Sequence, residues 1–462
     1  MVSSASLPIP DGFISEMEAL LGVQEAAALK ASLDAEPVCS IRINRLKTDS
    51  ADPIVGRFPG VEATPVEWCR SGVYLSPRPN FTADPLFHAG LYYVQEAASM
   101  AYEETVRDFM SQTSGQTDSP LCVLDLCAAP GGKSTAIINA LPPAHFLVAN
   151  EIERSRTGAL RENLDRWGDP DVAVTSSPAA KFGELTGFFD IIAVDAPCSG
   201  EGMMRREPAA RRQWSTKLVE NCSVLQRSIL ADVLPALKPG GLLIYSTCTF
   251  NRSEDEDVAE WIASAYGLIP FGAPRKFLPH RDRCEGLFLA AFTAPSGENP
   301  IPHPFRKSDS KKKEKLKIDP SSLFIDFSDT DFTHIGSKVY AVPKFTMQCV
   351  NLLKSKGINV LQTGCEVGTL SQNRFAPSSR QVLSTLFRPS SLPAVDLSLQ
   401  DATAYLRGEA LRLPPQVPKG FAAVSFDGHP LGLVKNIGTR ANNLYPSEWR
   451  IKSAVVAPPS DL

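Results

Sequence analysis

The sequence predicts an α/β fold built on a doubly wound, mostly parallel sheet, and three observations support this prediction. Strand-like and helix-like segments alternate for about 170 residues from Leu121 onward. An apolar run at Val123–Leu126 is followed by small residues and then by a helix-like segment, the usual opening of such a sheet. Reactive residue types follow four of the predicted strands, and these strand ends should meet in one crevice.

Each element of this sheet is assigned from short apolar runs separated by segments of helical periodicity. The predicted strands are Cys122–Leu126, Phe146–Ala149, Val172–Thr175, Ile191–Val194, Leu242–Ser246 and Leu287–Phe292. The predicted helices are Ser134–Leu141, Arg154–Trp167, Thr216–Leu237 and Asp255–Ala265.

Composition excludes several classes of protein. Of the 462 residues, 43% are hydrophobic and 21% are charged, as in ordinary soluble globular proteins. A formal charge of −4 argues against an indiscriminate polyanion binder but leaves room for a local basic groove. Ten cysteines without a Cys-x-x-Cys pair or a His cluster predict free thiols and no metal site. We find no signal peptide or membrane-spanning pattern, so a cytoplasmic protein is expected. We also expect a monomer.

The N-terminal part, residues 1–110, is predicted to be a separate α+β domain. Residues 11–35 have helical periodicity with Asp11 as the N-cap, and Cys39–Asn44 alternates as a strand. Arg42 and Arg45 are expected to be exposed beside this strand. They are either simply solvated or in contact with phosphate, and the sequence favours neither.

The C-terminal part follows the predicted α/β segment 111–295. Residues 296–320 are rich in proline and contain the basic run Lys311–Lys317, which predicts a linker. Residues 321–392 suggest a small α+β unit, and residues 393–462 a last one. In the latter, Asp427-Gly428 between two apolar runs predicts a β-hairpin.

The residues at the four strand ends suggest a ligand site and thiol chemistry. The loop Cys127–Lys133 has almost no side-chain bulk, and Glu151 ends the second strand where an acid typically meets a ribose diol. Cys198 follows the fourth strand within Asp195-Ala196-Pro197-Cys198, and Cys248 follows the fifth. Two cysteines in neighbouring loops, outside a disulfide context, favour a thiolate mechanism over two buried structural thiols.

These blocks resemble the signature motifs of the Sun-type (NOL/NSUN/Fmu) RNA cytosine-5 methyltransferases, in particular the bacterial RsmF/YebU group. The likeness lies in Val-Leu-Asp-Leu-Cys-Ala-Ala-Pro-Gly-Gly-Lys, Asp-Ala-Pro-Cys-Ser-Gly-Glu-Gly and Tyr-Ser-Thr-Cys-Thr, in this order. The segment Gly90–Met100 and the tail from Leu431 to Pro446 are similar as well. The resemblance implies a Rossmann-like class I methyltransferase domain, with an RNA-binding N-terminal domain at residues 1–110 and PUA-like C-terminal modules, of which residues 393–462 bind RNA.

The resemblance also implies roles for individual residues. The cofactor is S-adenosylmethionine, the substrate RNA is 16S ribosomal RNA, and Cys248 attacks cytosine C6. Asp195 and Lys133 reach the base, Cys198 assists product release, and Glu151 binds the cofactor ribose. The cofactor-binding residues are then Cys127, Ala128, Ala129, Pro130, Gly131, Gly132, Lys133, Glu151, Ser177 and Asp195.

The chain departs from the family pattern at one position, and alternative functions remain open. Many relatives have an Asp after the third strand, whereas this chain has Ser177, whose hydroxyl or a backbone carbonyl is expected to accept from the adenine. The basic cluster formed by Arg205, Arg206, Arg211 and Arg212 is either solvated or in contact with RNA phosphates. Transfer RNA as substrate, a DNA-type mechanism through Cys198 and a non-catalytic ribosome-assembly factor are the rival interpretations.

Overall fold

The protein is described here by a computed structural model covering residues 7–113, 119–297, 320–371 and 374–452. The N-terminal domain is an antiparallel four-stranded sheet with two helices before it. Its sheet has the order β2-β3-β1-β4. Its elements are α1 (Asp11–Leu21), α2 (Val23–Leu33), β1 (Ser40–Ile43), α3 (Asp52–Val55), β2 (Glu62–Val66), β3 (Cys69–Ser76), α4 (Pro85–His88) and β4 (Tyr92–Val94).

Two details of the predicted N-terminal helix are wrong. The segment forms two helices because Gly22 takes a φ of 85°, a left-handed conformation that an α-helix does not accommodate. Asp11 is the first helical residue rather than the N-cap, which is Pro10, and no side chain caps this helix.

The predicted exposure of Arg42 is also wrong, since its side chain is completely buried between the N-terminal and central domains. Its guanidinium donates to Gln95 Oε1 at 2.7 Å and to Thr135 Oγ1 at 2.5 Å, and lies 4.6 Å from the Trp167 ring centroid. The carboxylate of Glu103, also fully buried, lies 3.9 Å away. Arg42 therefore contacts neither solvent nor phosphate; it joins two domains.

We predict that Arg42→Ala destabilises the protein by about 3–5 kcal/mol, because it removes a buried cation and its hydrogen bonds to Gln95 and Thr135 and leaves Glu103 with Arg107 alone. Chemical denaturation followed by circular dichroism measures the change. Arg70→Ala is the matched control: Arg70 is 75% exposed and 4.0 Å from Glu104, so about 1 kcal/mol or less is expected. Equal losses in both variants would contradict this account.

The central domain is a twisted sheet whose two faces are both covered. The strand order is β10-β12-β9-β8-β5-β6-β7-β15, where β15 (Val360–Thr363) comes from the C-terminal part and β11 also pairs with β12. Its elements up to residue 297 are α5 (Ala101–Thr113), β5 (Leu121–Asp125), α6 (Gly132–Ala140), β6 (His145–Asn150), α7 (Thr157–Trp167), β7 (Val172–Thr175), α8 (Ala179–Gly183), β8 (Phe189–Asp195), α9 (Pro208–Gln213), α10 (Thr216–Val233), β9 (Leu237–Thr247), α11 (Glu256–Tyr266), β10 (Ile269–Pro270), β11 (Arg275–Phe277), α12 (Pro279–Asp282) and β12 (Leu287–Thr293).

The six predicted strands and four predicted helices are all present, with ends displaced by a few residues. Strands β7, β6, β5, β8 and β9 are parallel, as predicted, but β12 runs antiparallel to β9. The apolar run of β12 could not reveal this, because a strand buried on both faces has the same composition in either direction. Two hydrophobic cores, one on each face, hold the sheet in place.

The C-terminal part adds two further four-stranded sheets, with orders β13-β14-β16-β17 and β18-β19-β20-β21. Its elements are β13 (Thr330–Ile335), β14 (Lys338–Pro343), α13 (Lys344–Ser355), β15 (Val360–Thr363), β16 (Cys365–Ser371), β17 (Arg374–Pro377), β18 (Ala394–Asp396), α14 (Leu399–Leu406), β19 (Gly420–Phe426), β20 (His429–Asn436) and β21 (Ala441–Asn443). The predicted hairpin is confirmed: Asp427 and Gly428 both have positive φ, 51° and 75°, between β19 and β20.

Both flanking parts are tied firmly to the centre. Strand β15 leaves the C-terminal unit and pairs antiparallel with β7, the edge of the central sheet. The last sheet shares one hydrophobic core with the N-terminal domain, where Ile41 and Leu86 belong to the same cluster as Val424 and Leu433. The basic run Lys311–Lys317 lies outside the described residues. Within the described ranges, no helix has the length and apolarity needed to cross a bilayer.

Candidate functional site

A crevice of about 210 Å³ opens at the carboxyl ends of the parallel strands. The N-terminal domain contributes one wall, the loop after β5 contributes another, and Asp195 at the end of β8 closes it. The lining residues are Tyr93, Val94, Gln95, Glu96, Ser99, Cys127, Ala128, Ala129, Pro130, Gly132, Lys133 and Asp195. Seven of the residues expected at the site from the sequence therefore lie around one cavity.

The two glycines of the loop have different roles. A Cβ on Gly132 would lie 3.3 Å from the Tyr93 ring and 3.5 Å from Gln95 Nε2, so glycine allows the N-terminal domain to close over this loop. Gly131 takes a φ of 110°, and a Cβ there would point at Leu160 on α7. Gly131 is therefore required for the turn into α6 rather than for space within the crevice.

Lys133 and Asp195 form an ion pair at the floor of the crevice. Lys133 Nζ donates to Asp195 Oδ2 at 2.8 Å, and the two side chains are 17% and 28% exposed. Burial on its own would lower the pKa of Lys133, but the neighbouring Asp195 carboxylate more than offsets this, so the net shift is upward. Lys133 thus remains an ammonium donor facing the cavity.

Cys198 and Cys248 lie side by side, with their sulfurs 3.2 Å apart. The hydrogen bond with Cys248 and the burial of the site raise the pKa of Cys198 well above its usual range. Cys198 accordingly keeps its proton, and either sulfur can be the donor in this contact. Of the ten free cysteines, only Cys127, Cys198 and Cys248 are not fully buried.

Strand pairing and a buried polar network bring the two cysteine loops together. Asp195 lies opposite Ser246 in the β8–β9 register. Beyond the strand ends, Asn251 Nδ2 donates both to Glu201 Oε1, at 3.1 Å, and to Glu254 Oε1, at 2.8 Å. Glu201 Oε2 also accepts from Phe250 N at 2.7 Å, and Glu254 Oε2 accepts from Ser199 N at 3.0 Å. Each carboxylate therefore fixes the loop that carries one of the thiols.

Two carboxylates near the small-residue loop have oxygen atoms without hydrogen-bond donors. Glu151 Oε1 accepts from Glu153 N at 2.8 Å, but Oε2 is buried and has no hydrogen bond, although Arg156 Nη1 is 3.3 Å away. Asp125 Oδ2 accepts from Ser134 Oγ at 2.6 Å, and its Oδ1 is likewise buried and unpaired. A ligand with hydroxyl or ammonium donors fits this pattern.

Ser177, expected to contact the cofactor, makes two hydrogen bonds within the protein. Its Oγ accepts from Asn359 N at 2.9 Å, and its carbonyl oxygen accepts from Asn150 Nδ2 at 3.1 Å. The first of these contacts joins the edge of the central sheet to the C-terminal unit. Its role toward the cofactor remains a prediction.

The basic cluster after the Asp195 loop is largely engaged within the protein. Arg205 and Arg206 both pair with Glu285, each at 3.1 Å. Arg211 is buried and donates to Asp34 and to the carbonyl oxygen of Leu33, among other acceptors. Arg206 and Arg212 are exposed, and of the four only Arg212 makes no ion pair or hydrogen bond with the described residues. Solvation and phosphate contact are therefore both wrong for Arg205 and Arg211, which hold the fold together.

Several residues at the site were not singled out from the sequence. Tyr93, Gln95 and Glu96 come from the N-terminal side, Asp125 precedes the loop, and Tyr102 reaches the site from α5. Asp125 carried a signal as a buried acid within the first motif, and Tyr93, Gln95 and Glu96 lie in the segment Gly90–Met100 that resembles the family. Tyr102 lies outside these blocks and is placed by its contact with Ser246, far along the chain.

We predict that Asp125 makes the stability of the protein depend on pH. Burial raises the pKa of Asp125 to about 7, against about 3.9 in an unfolded chain. Between about pH 4 and 7 the folded state binds a proton that the unfolded state has released. Stability therefore falls as the pH rises through this window, by up to about 1.4 kcal/mol per pH unit for this group.

Asp125→Asn removes this titration. Its stability relative to the wild type, measured by urea unfolding, should increase from pH 5 to 7 and become constant above that. Asp108→Asn, on the exposed side of α5, controls for the change in net charge. A difference between Asp125→Asn and the wild type that does not vary with pH would count against the assignment.

Comparisons with known proteins match each part of the chain. Residues 116–293 match the family model of 16S rRNA methyltransferase RsmB/F. Residues 9–97 match the N-terminal domain of 16S rRNA methyltransferase RsmF, and residues 392–451 match the methyltransferase RsmF PUA domain. The ribosomal RNA small subunit methyltransferase F of Salmonella paratyphi A is 31% identical over 95% of this chain and 96% of its own.

Among solved structures, a methyltransferase homolog protein from Pyrococcus horikoshii is 25% identical with a TM-score of 0.52. The match covers 62% of this chain and all of that one. The NSun6 protein from Pyrococcus horikoshii, solved with SFG, has the same TM-score over 62% of this chain and 99% of its own. At 20% identity it supports the fold alone.

The parallel sheet, its antiparallel last strand and the crevice at its carboxyl edge together define a Rossmann-like methyltransferase. The flanking N-terminal and PUA domains narrow this class. The chain belongs to the RsmF family of 16S rRNA methyltransferases, so the resemblance inferred from the motifs is confirmed.

Proposed function

We propose that the protein transfers a methyl group from S-adenosylmethionine to C5 of a cytosine in 16S ribosomal RNA, through a covalent adduct of Cys248. The observation that carries the proposal is the position of the Cys198–Cys248 thiol pair beside the Lys133–Asp195 ion pair. The hydroxyl of Ser246, two residues before Cys248, donates to Asp195 at 2.7 Å and so links the two pairs. A nucleophile and two groups able to hold a base are thus assembled at one edge of the sheet.

The cofactor is expected to lie against the loop from Cys127 to Lys133. Glu151 Oε2 is free to accept from ribose hydroxyls, and Asp125 Oδ1 offers a second buried acceptor for a cationic ligand. When bound, S-adenosylmethionine supplies an electrophilic methyl group.

Cytosine C5 becomes nucleophilic only after another group has added to C6. In our proposal Cys248 makes that bond as a thiolate, and the S–H of Cys198 stabilises the negative charge on its sulfur. Asp195 accepts from the amino edge of the base, and Lys133 donates nearby, so the charge that develops on the ring meets fixed partners. The base must first be rotated out of its stack.

Product release requires loss of the C5 proton and breakage of the bond between Cys248 and C6. Cys198 is in direct contact with Cys248. Since its raised pKa keeps Cys198 protonated, we infer that it assists by ordering a water that accepts the proton. We further infer a cytoplasmic monomer that acts on RNA of the small ribosomal subunit.

We predict that the two thiols fail differently when replaced. Cys248→Ala should abolish turnover and leave no covalent protein–RNA species, because the bond to C6 cannot form. Cys198→Ala should still attack and methylate, then accumulate as an adduct. A denaturing gel with RNA and cofactor detects the adduct as a slower band.

Cys222→Ala, in the neighbouring helix α10, is the matched control and should turn over normally. A trapped band with Cys248→Ala and none with Cys198→Ala would reverse the assignment. That result would favour the DNA-type mechanism in which the cysteine after proline is the nucleophile.

The substrate is tested by incubating the protein with labelled cofactor and either 16S rRNA, small subunits or transfer RNA. We expect label in 16S rRNA or the subunit and at least about tenfold less in transfer RNA, a difference of about 1.4 kcal/mol in transition-state binding. Bisulfite sequencing of the labelled RNA then identifies a 5-methylcytosine. Preferential labelling of transfer RNA would support the alternative enzyme, and no labelling of any RNA would support a binding protein.

A further inference from the structure

One carboxylate oxygen of Asp195, Oδ1, lies at the end of a chain of two hydroxyl groups. Ser246 Oγ donates to Asp195 Oδ1 at 2.7 Å, and the Tyr102 hydroxyl lies 2.7 Å from Ser246 Oγ. The other carboxylate oxygen, Oδ2, accepts from Lys133. Both oxygens of Asp195 are therefore held in defined positions, one by a cation and one by hydroxyls.

The direction of this chain follows from counting hydrogens. An ionised carboxylate only accepts, so the single hydroxyl hydrogen of Ser246 is used on Asp195. Ser246 Oγ must then accept from Tyr102. Burial raises the pKa of Tyr102 well above its usual range, so the phenol keeps the proton that it donates.

Water cannot replace either hydroxyl group, because Tyr102 and Ser246 are both completely buried. Tyr102 also lies outside the motif blocks, on helix α5, 144 positions before Ser246. The same ring lies 5.8 Å from Lys133 Nζ, measured to the ring centroid. One residue of α5 thus reaches both members of the Lys133–Asp195 pair, one through its ring and the other through Ser246.

We propose that Tyr102 is a positioning residue for methyl transfer, which acts through Ser246 to hold the Asp195 carboxylate at the angle needed to receive the cytosine edge. This inference rests on the proposed function. Without the donation from Tyr102, nothing fixes the rotation of the Ser246 hydroxyl, so its hydrogen can turn away from Asp195 Oδ1. A carboxylate that then accepts only from Lys133 can rotate about its χ2 bond. Loss of alignment at a reacting group slows the chemical step more than it weakens binding.

Tyr102→Phe tests the inference because it keeps the ring and its contact with Lys133 and removes only the hydroxyl. We expect kcat for RNA methylation to fall about tenfold or more, with KM for RNA and for cofactor within about twofold of wild type. Ser246→Ala should lower kcat at least as much. Thermal unfolding and cofactor affinity verify that each variant is folded.

The double variant gives the sharper result. If Tyr102 acts only through Ser246, then Tyr102→Phe should cause no further loss of kcat in a Ser246→Ala background. A purely structural role would instead produce losses that multiply. Tyr340→Phe, a fully buried tyrosine in the C-terminal sheet, is the control and should retain wild-type kcat.

Multiplying losses, an unchanged kcat in Tyr102→Phe, or a raised KM with normal kcat would each overturn the inference. These comparisons use a wild-type protein whose methyl transfer has already been measured. A wild type that transfers no methyl group contradicts the proposed function. An active wild type whose Tyr102→Phe variant has the same kcat contradicts the Tyr102 inference alone.

Discussion

The candidate site depends on two buried carboxylates and the asparagine between them. Glu201 and Glu254 lie completely inside the protein, and Asn251 donates to both. Burial raises the pKa of Glu254, which reflects the cost of keeping such a group away from water. That cost is offset because the carboxylates receive donors from the loops that carry the thiols, including Ser199 N and Phe250 N. A network satisfied in this way fixes one arrangement of the loops and excludes others.

The fold and the reactive residues were predictable where they depend on local pattern. The strands of the central sheet are short apolar runs, and the residues that follow them fall at one edge because parallel strands share a direction. Lys133, Asp195, Cys198 and Cys248 could therefore be grouped from the sequence alone. The antiparallel direction of β12 could not be predicted, since its composition is the same in both orientations.

The residues that sequence reasoning misplaced are those whose partners lie far away along the chain. Arginine is usually a surface residue, yet Arg42 is buried and its partners include Thr135, 93 positions later. Arg211 likewise donates to Leu33 and Asp34 at the end of α2, 178 and 177 positions earlier. Arginine is the cation best suited to such multiple buried contacts, because its planar group presents five donors. Exposure predicted from residue type alone fails for this reason.

Strand β15 joins the C-terminal part of the protein to the central sheet. It is the only strand of the C-terminal part, among the described residues, that pairs with the central sheet, and Arg380 reinforces it through an ion pair of 2.9 Å with Asp165 on α7. The shared hydrophobic core fixes the last sheet to the N-terminal domain from the other side. Strand pairing, this ion pair and the shared core therefore set the distance from the terminal hairpin to the crevice. A ligand that contacted both the hairpin and the crevice would have to match that distance.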